Sequence, residues 1–166
     1  MQYTVLTCAL IAAALTATFA VLYGIKLGEL SDMECIAIRG SDAEGLPEET
    51  VDVIEKWGMS LRFGLGMWIA NTVVALLVGV SAFNYKMAAL TAIIASCGLG
   101  WPNLIQLGYL GVYRWTWYGD VCSEKYEDMG DFMKRVFITQ AVFQFLMGSV
   151  TSVIAQCVRT IGKAAA

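Results

Sequence analysis

Four stretches of the chain carry no ionic side chain: residues 1–25, 63–85, 87–113 and 136–158, which are runs of 25, 23, 27 and 23 residues. As helices rising about 1.5 Å per residue, each reaches roughly 35–40 Å, enough to cross a hydrocarbon core of about 30 Å. A charge at the centre of a membrane helix costs about 2.5–3.5 kcal/mol, so exclusion over these lengths reads as four transmembrane helices. The predicted fold class is an all-α membrane protein. It is an antiparallel four-helix transmembrane bundle, a single domain over 1–166, with spans at about 3–26, 63–85, 87–113 and 136–158. Loops at 27–62 and 114–135 then share one side of the membrane and are expected to contain short amphipathic helices. Composition agrees: 58% of residues are hydrophobic and 15% charged, against about 45–50% and 25% in soluble domains. The first span has no basic segment ahead of it and exceeds the short apolar core of a signal peptide, so it reads as a retained anchor.

The acids sharpen the topology. Nine lie in the first loop, from Glu29 to Glu55, and five in the second: Asp120, Glu124, Glu127, Asp128 and Asp131. The opposite side holds Lys86, Arg159 and Lys163 and no acid. Counting only lysine and arginine gives eight on the loop side and three on the other, which alone would put the loops in the cytoplasm. Five of the eight (Lys26, Arg62, Arg114, Lys134 and Arg135) sit at span ends, where long side chains snorkel. The cysteines point the other way. Cys35 lies in the first loop and Cys122 in the second, and a bond between them requires an oxidising compartment. That pairing is the expectation, with loops outside or lumenal; two free thiols are the alternative.

Helices in lipid associate by close backbone approach and interhelical hydrogen bonds, and small or polar residues recur at four-residue spacing in every span. The first has Ala12, Thr16, Ala20 and Gly24, with Ala9, Ala13 and Ala17 in the neighbouring row. Along the second run Gly64, Asn71, Ala75, Gly79 and Ala82. Ala88, Ala92, Ser96 and Gly100 mark the third, and Gln140, Gln144, Gly148, Ser152 and Gln156 the fourth. These rows are the expected helix-packing faces, and the amides among them, with Asn103 and Gln106, the expected interhelical hydrogen bonds. Pro102 is expected to kink the third span. Tyr23, Trp57, Tyr109, Tyr113, Trp115, Trp117 and Tyr118 collect on the loop side as an interfacial aromatic belt.

Within the loops, Pro47-Glu48-Glu49-Thr50 has the composition of a helix start, and Val51, Ile54, Trp57 and Leu61 follow at helical spacing. The predicted element is an amphipathic helix on the membrane surface, running into the second span. Ser123 is placed to cap a helix carrying Tyr126, Met129, Phe132 and Met133.

The chain contains no histidine, which excludes imidazole-held haem or chlorophyll, His-containing metal centres, and Ser-His or Cys-His nucleophiles. Each loop has a single cysteine, so no Cys-x-x-Cys redox pair is present. The acids of the first loop lack the alternating ladder of a calcium loop. A pI near 4.9 argues against nucleic acid. The residues point to no catalytic group, cofactor or metal, and to a protein that is not an enzyme.

Arg114-Trp115-Thr116-Trp117-Tyr118-Gly119-Asp120-Val121-Cys122-Ser123-Glu124-Lys125-Tyr126 resembles the second extracellular loop of MARVEL-type tetraspans. In that family an arginine after the third span is followed by a glycine, then Cys-Ser and an aromatic residue. Two departures stand out: Glu124 replaces the glycine that usually follows Cys-Ser, and Trp115 replaces a small residue. The resemblance implies a membrane organiser that works by self-association and partner binding, in a plasma, ciliary or vesicle membrane. Its partners would be the lipid bilayer and other membrane proteins or further copies of itself. Two other readings stand beside it. One is a supernumerary subunit of an organellar energy-converting complex. The other is a small oligomeric channel or transporter lined by the glutamines of the fourth span.

Overall fold

A computed structural model describes residues 2–39, 49–81, 83, 91 and 99–164, the side chains of 2, 4, 5 and 146–164 excepted. Among the described residues the chain is mostly helical: α1 is Gln2–Leu30, α2 Val53–Ser81, α3 Gly100–Trp115, α4 Trp117–Lys125 and α5 Glu127–Ala164. Between α1 and α2 lies an antiparallel hairpin of β1 (Ile36–Arg39) and β2 (Glu49–Asp52), in the register Ile36↔Asp52 to Arg39↔Glu49.

The hairpin corrects the expectation for the first loop. Glu49–Asp52 is extended, and α2 begins only at Val53, then runs unbroken through Ser81. Ile54, Trp57 and Leu61 are helical as their spacing suggests, but they belong to the first turns of α2 and not to a separate surface helix. The strand pattern follows from packing. Cys35 and Ala37 turn inward and are buried, while Ile36 and Ile38 face out, the alternation a pleated strand imposes. Asp52 closes β2 and caps α2 by accepting the Glu55 N–H at Oδ1 (3.1 Å).

Among the described residues two helices, Leu6–Leu30 and Val53–Ser81, are long and apolar enough to cross a membrane, and only 22% of the most apolar window of each is buried. They pack antiparallel through their smallest residues. A Cβ on Gly79 would lie 3.3 Å from that of Ala9, Thr72 Oγ1 donates to Thr16 Oγ1 at 2.9 Å, and Gly64 sits under Tyr23. Near the loop end, a Cβ on Gly58 would meet Leu30 at 3.3 Å. Each step along one helix is matched to within one residue by a step back along the other, as one antiparallel register requires. On α1 the buried row is Ala9, Ala13, Thr16 and Tyr23. Ala12 and Ala20 are half-buried beside it, and a Cβ at Gly24 would meet no described heavy atom within 4 Å.

The chain turns sharply between its later helices. Thr116 is extended (φ −76°, ψ 158°) and separates α3 from α4; Tyr126 (φ −125°, ψ 70°) separates α4 from α5. The helix ends stay bonded across both breaks: Thr116 N–H donates to the Val112 carbonyl, and Tyr126 N–H to that of Cys122. Ser123 therefore does not cap α5. It lies inside α4 and returns its hydroxyl to the Gly119 carbonyl at 2.7 Å. Pro102 falls in the first turn of α3, where its missing N–H removes no bond of that helix.

Candidate functional site

Two groups of functional side chains emerge, a cap built from the two loops and a polar seam beneath it. Cys35 and Cys122 are joined by a disulfide, their Cα atoms 6.0 Å apart. It fastens the root of the hairpin to α4. Neighbouring bonds repeat the connection. Tyr126 Oη accepts the Glu34 N–H and donates to the Glu34 carbonyl, both at 3.2 Å. Lys125 Nζ donates to the same carbonyl at 2.7 Å, and the Arg39 guanidinium lies 5.2 Å from the centre of the Trp117 ring.

Arg114 organises the second loop from within. Its Nε donates to the Gly130 carbonyl at 3.0 Å and its Nη1 pairs with Asp120 at 2.9 Å. Gly119 is required by contact: a Cβ there would stand 3.0 Å from the Arg114 carbonyl oxygen and nearer still to that of Tyr113. Trp57 departs from the aromatic belt. It is fully buried under the cap, and its indole N–H donates to the Tyr113 carbonyl at 3.1 Å. Tyr109 and Tyr113 stack on each other, Trp115 meets Phe137 edge-on, and Trp117 meets Tyr118 the same way. Of the proposed belt, Trp115 and Tyr109 are exposed at 50% and 40%, while Tyr113, Trp117 and Tyr118 are half-buried.

The seam joins α1, α2, α3 and α5. Gln106 is wholly buried; its Nε2 donates to Tyr23 Oη at 2.8 Å, and its Oε1 accepts from Gln140 Nε2. The Gln140 amide also reaches the Asn103 carbonyl at 3.4 Å. Asn103 and Asn71 face each other, with Asn71 Nδ2 donating to Asn103 Oδ1 at 3.1 Å, and Asn103 Nδ2 donating to the Leu99 carbonyl at 2.8 Å. One helical turn beyond Gln140, both amide atoms of Gln144 are buried without a partner among the described residues.

Tyr23 belongs to this seam and not to the belt, being fully buried. Nothing in the sequence separates it from the other loop-side tyrosines except its place three residues before Lys26 and seven after Thr16, on the buried row of α1. Ala75 is half-buried, and a Cβ on Gly100 would meet no described heavy atom within 4 Å. Ala92 and Ser96 lie outside the described residues, and of Gly148 and Ser152 only the helical backbone is described. Among the described residues no group of three His, Cys, Asp or Glu side chains stands close enough to hold a metal ion. The seam offers amides and hydroxyls, which donate and accept hydrogen bonds and thereby fix helix rotation. No family model, curated protein or solved structure matches the chain.

Proposed function

We propose that the chain is a four-span integral membrane protein acting as a membrane organiser, or as an accessory subunit of a larger membrane assembly. The observation that carries this reading is the apolar surface of the helices. Leu15 and Ile25 on α1, Ile69 and Leu76 on α2, Leu104 and Val112 on α3, and Val142 on α5 are each at least 47% exposed. In water so many large exposed apolar side chains along the helices would be unusual, since soluble monomers rarely expose contiguous apolar patches above a few hundred Å². In lipid it is the ordinary solvent-facing side of a bundle. The charge-free run over 87–113 supports a third span ending in α3, and that over 136–158 a fourth within α5.

The seam supports a structural role because its amides bond mainly to one another, which locks the rotation of each helix against its neighbours. The cap supports a rigid exterior face, and its disulfide supports loops in an oxidising compartment with Lys86, Arg159 and Lys163 on the other side. Within the MARVEL-like stretch, Arg114, Trp117, Gly119, Cys122, Lys125 and Tyr126 all take part in the cap. A small oligomeric channel is the second reading, favoured by the unpartnered Gln144 amide.

The test is the composition of the assembly purified in mild detergent. Identical copies, or stoichiometric partners contacted through dry apolar faces, support the proposal. Identical copies that conduct ions in planar bilayers, with conduction lost in Gln144→Leu, would replace it with the channel. Co-purification with cofactor-bearing chains at fixed stoichiometry would instead make it a subunit of an energy-converting complex.

A further inference from the structure

Between the end of α1 and the start of α2 lies an open notch of about 390 Å³. Leu27, Met33 and Ile54 contribute apolar lining, and Asp52, Glu55 and Arg62 bring charge of both signs. We infer that this notch binds the headgroup of a zwitterionic phospholipid, its phosphate on Arg62 and its amine on Asp52 and Glu55. The inference rests on the membrane placement proposed above.

The charges are arranged in the order such a lipid presents them. Arg62 directly precedes the charge-free run at residue 63, so it stands where the hydrocarbon gives way to phosphate. Glu55 is seven residues earlier on the same helix, about 10 Å further out along its axis. Asp52 lies at the outer end of that helix, with Oδ1 accepting the Glu55 N–H and its other oxygen left for a ligand. None of the three takes part in an ion pair among the described residues. Below Arg62 the same face of α2 continues with Gly66, Ile69 and Val73, all exposed. A Cβ on Gly66 would meet no described heavy atom within 4 Å, so an open strip leads from the headgroup notch down to the apolar face, where an acyl chain lies. An anionic lipid such as phosphatidylglycerol supplies the phosphate but no amine, and leaves two carboxylates facing its negative charge.

The experiment is native mass spectrometry of the full chain released from nanodiscs of equimolar phosphatidylcholine, phosphatidylethanolamine and phosphatidylglycerol. Exposed ion pairs each contribute a modest factor, so retention of the two zwitterionic lipids should exceed that of phosphatidylglycerol by at least about threefold. Asp52→Asn with Glu55→Gln should abolish the preference; asparagine keeps the cap oxygen, so α2 still starts normally. Arg62→Gln should lower retention of all three lipids by about the same factor while the amine preference persists. Equal retention by the wild-type chain, or a preference unchanged in the double variant, would overturn the site. Flotation with liposomes of each composition separates the two levels. A chain that floats without headgroup preference loses only the notch, whereas one that fails to float refutes the membrane placement.

Discussion

Gly64→Ala adds one methyl group at the tightest point of the seam. Built on the backbone, the new Cβ falls 2.8 Å from Gln106 Nε2 and 2.9 Å from Tyr23 Cδ1, and closer still to Tyr23 Cε1. Carbon atoms settle near 3.5–4.0 Å, so the ring has to retreat by more than about half an ångström. It has little room to do so, because Tyr23 is fully buried and its hydroxyl accepts the Gln106 amide. Overpacking of this kind costs about 1–3 kcal/mol, and loosening an interhelical hydrogen bond adds about 0.6–2 kcal/mol. The expected loss is about 2–5 kcal/mol. Gly66→Ala is the internal control, two residues away on the same helix with no described heavy atom within 4 Å of its Cβ. It should leave stability unchanged or raise it by up to about 1 kcal/mol, the helix-propensity gain of alanine over glycine. The measurement is reversible unfolding by SDS titration in mixed micelles, followed by tryptophan near-UV circular dichroism. Equal stability of the two variants would refute the contact argument for the seam.

Replacing Cys35 and Cys122 together by serine opens a loop with a sequence separation of 87. The same titration should show a loss of up to about 4–5 kcal/mol on the chain-entropy model, and non-reducing peptide mapping of the wild-type chain should recover the two cysteines linked. Gly79→Leu should be far more damaging than Leu77→Ala, because residue 79 faces Ala9 at 3.3 Å whereas Leu77 is 52% exposed. Similar yields of folded protein from both would remove the close-packing argument for α1 and α2. Gly119→Ala should destabilise the cap by more than about 1 kcal/mol, since the atoms it strikes are backbone carbonyls that cannot swing away; an unchanged unfolding midpoint would contradict this.

What the sequence disclosed was governed by exclusion and pairing. Long runs without ionic residues marked the two apolar helices Leu6–Leu30 and Val53–Ser81 from spacing alone. The disulfide was legible for a similar reason, as each loop holds one cysteine. Asn71, Asn103, Gln106 and Gln140 were readable as hydrogen-bonding residues, though not their partners. The hairpin was not legible. Pro47-Glu48-Glu49-Thr50 has the composition of a helix start, and Val51 through Leu61 has helical spacing. What holds Glu49–Asp52 extended is pairing with Ile36–Arg39, whose root is clamped by Cys122, Lys125 and Tyr126 from nearly ninety residues away. No local preference encodes that clamp. Trp57 and Tyr23 were misread for a related reason. A loop-side aromatic suits an interfacial belt, and only the fold shows that one N–H reaches the Tyr113 carbonyl and one hydroxyl reaches Gln106.

A four-span membrane protein must hold its charge-free helices in lipid. Val73 on α2 and Val142 on α5 are 51% and 53% exposed, so a nitroxide attached there meets whatever surrounds the protein. The measurement is spin-label accessibility in proteoliposomes, using Val73→Cys or Val142→Cys in a chain whose Cys8, Cys97 and Cys157 are serine. In lipid both labels should be relaxed by oxygen, which concentrates in the hydrocarbon, and protected from a water-soluble nickel complex. Strong relaxation by nickel with little effect of oxygen would place those helices in water and contradict the membrane placement.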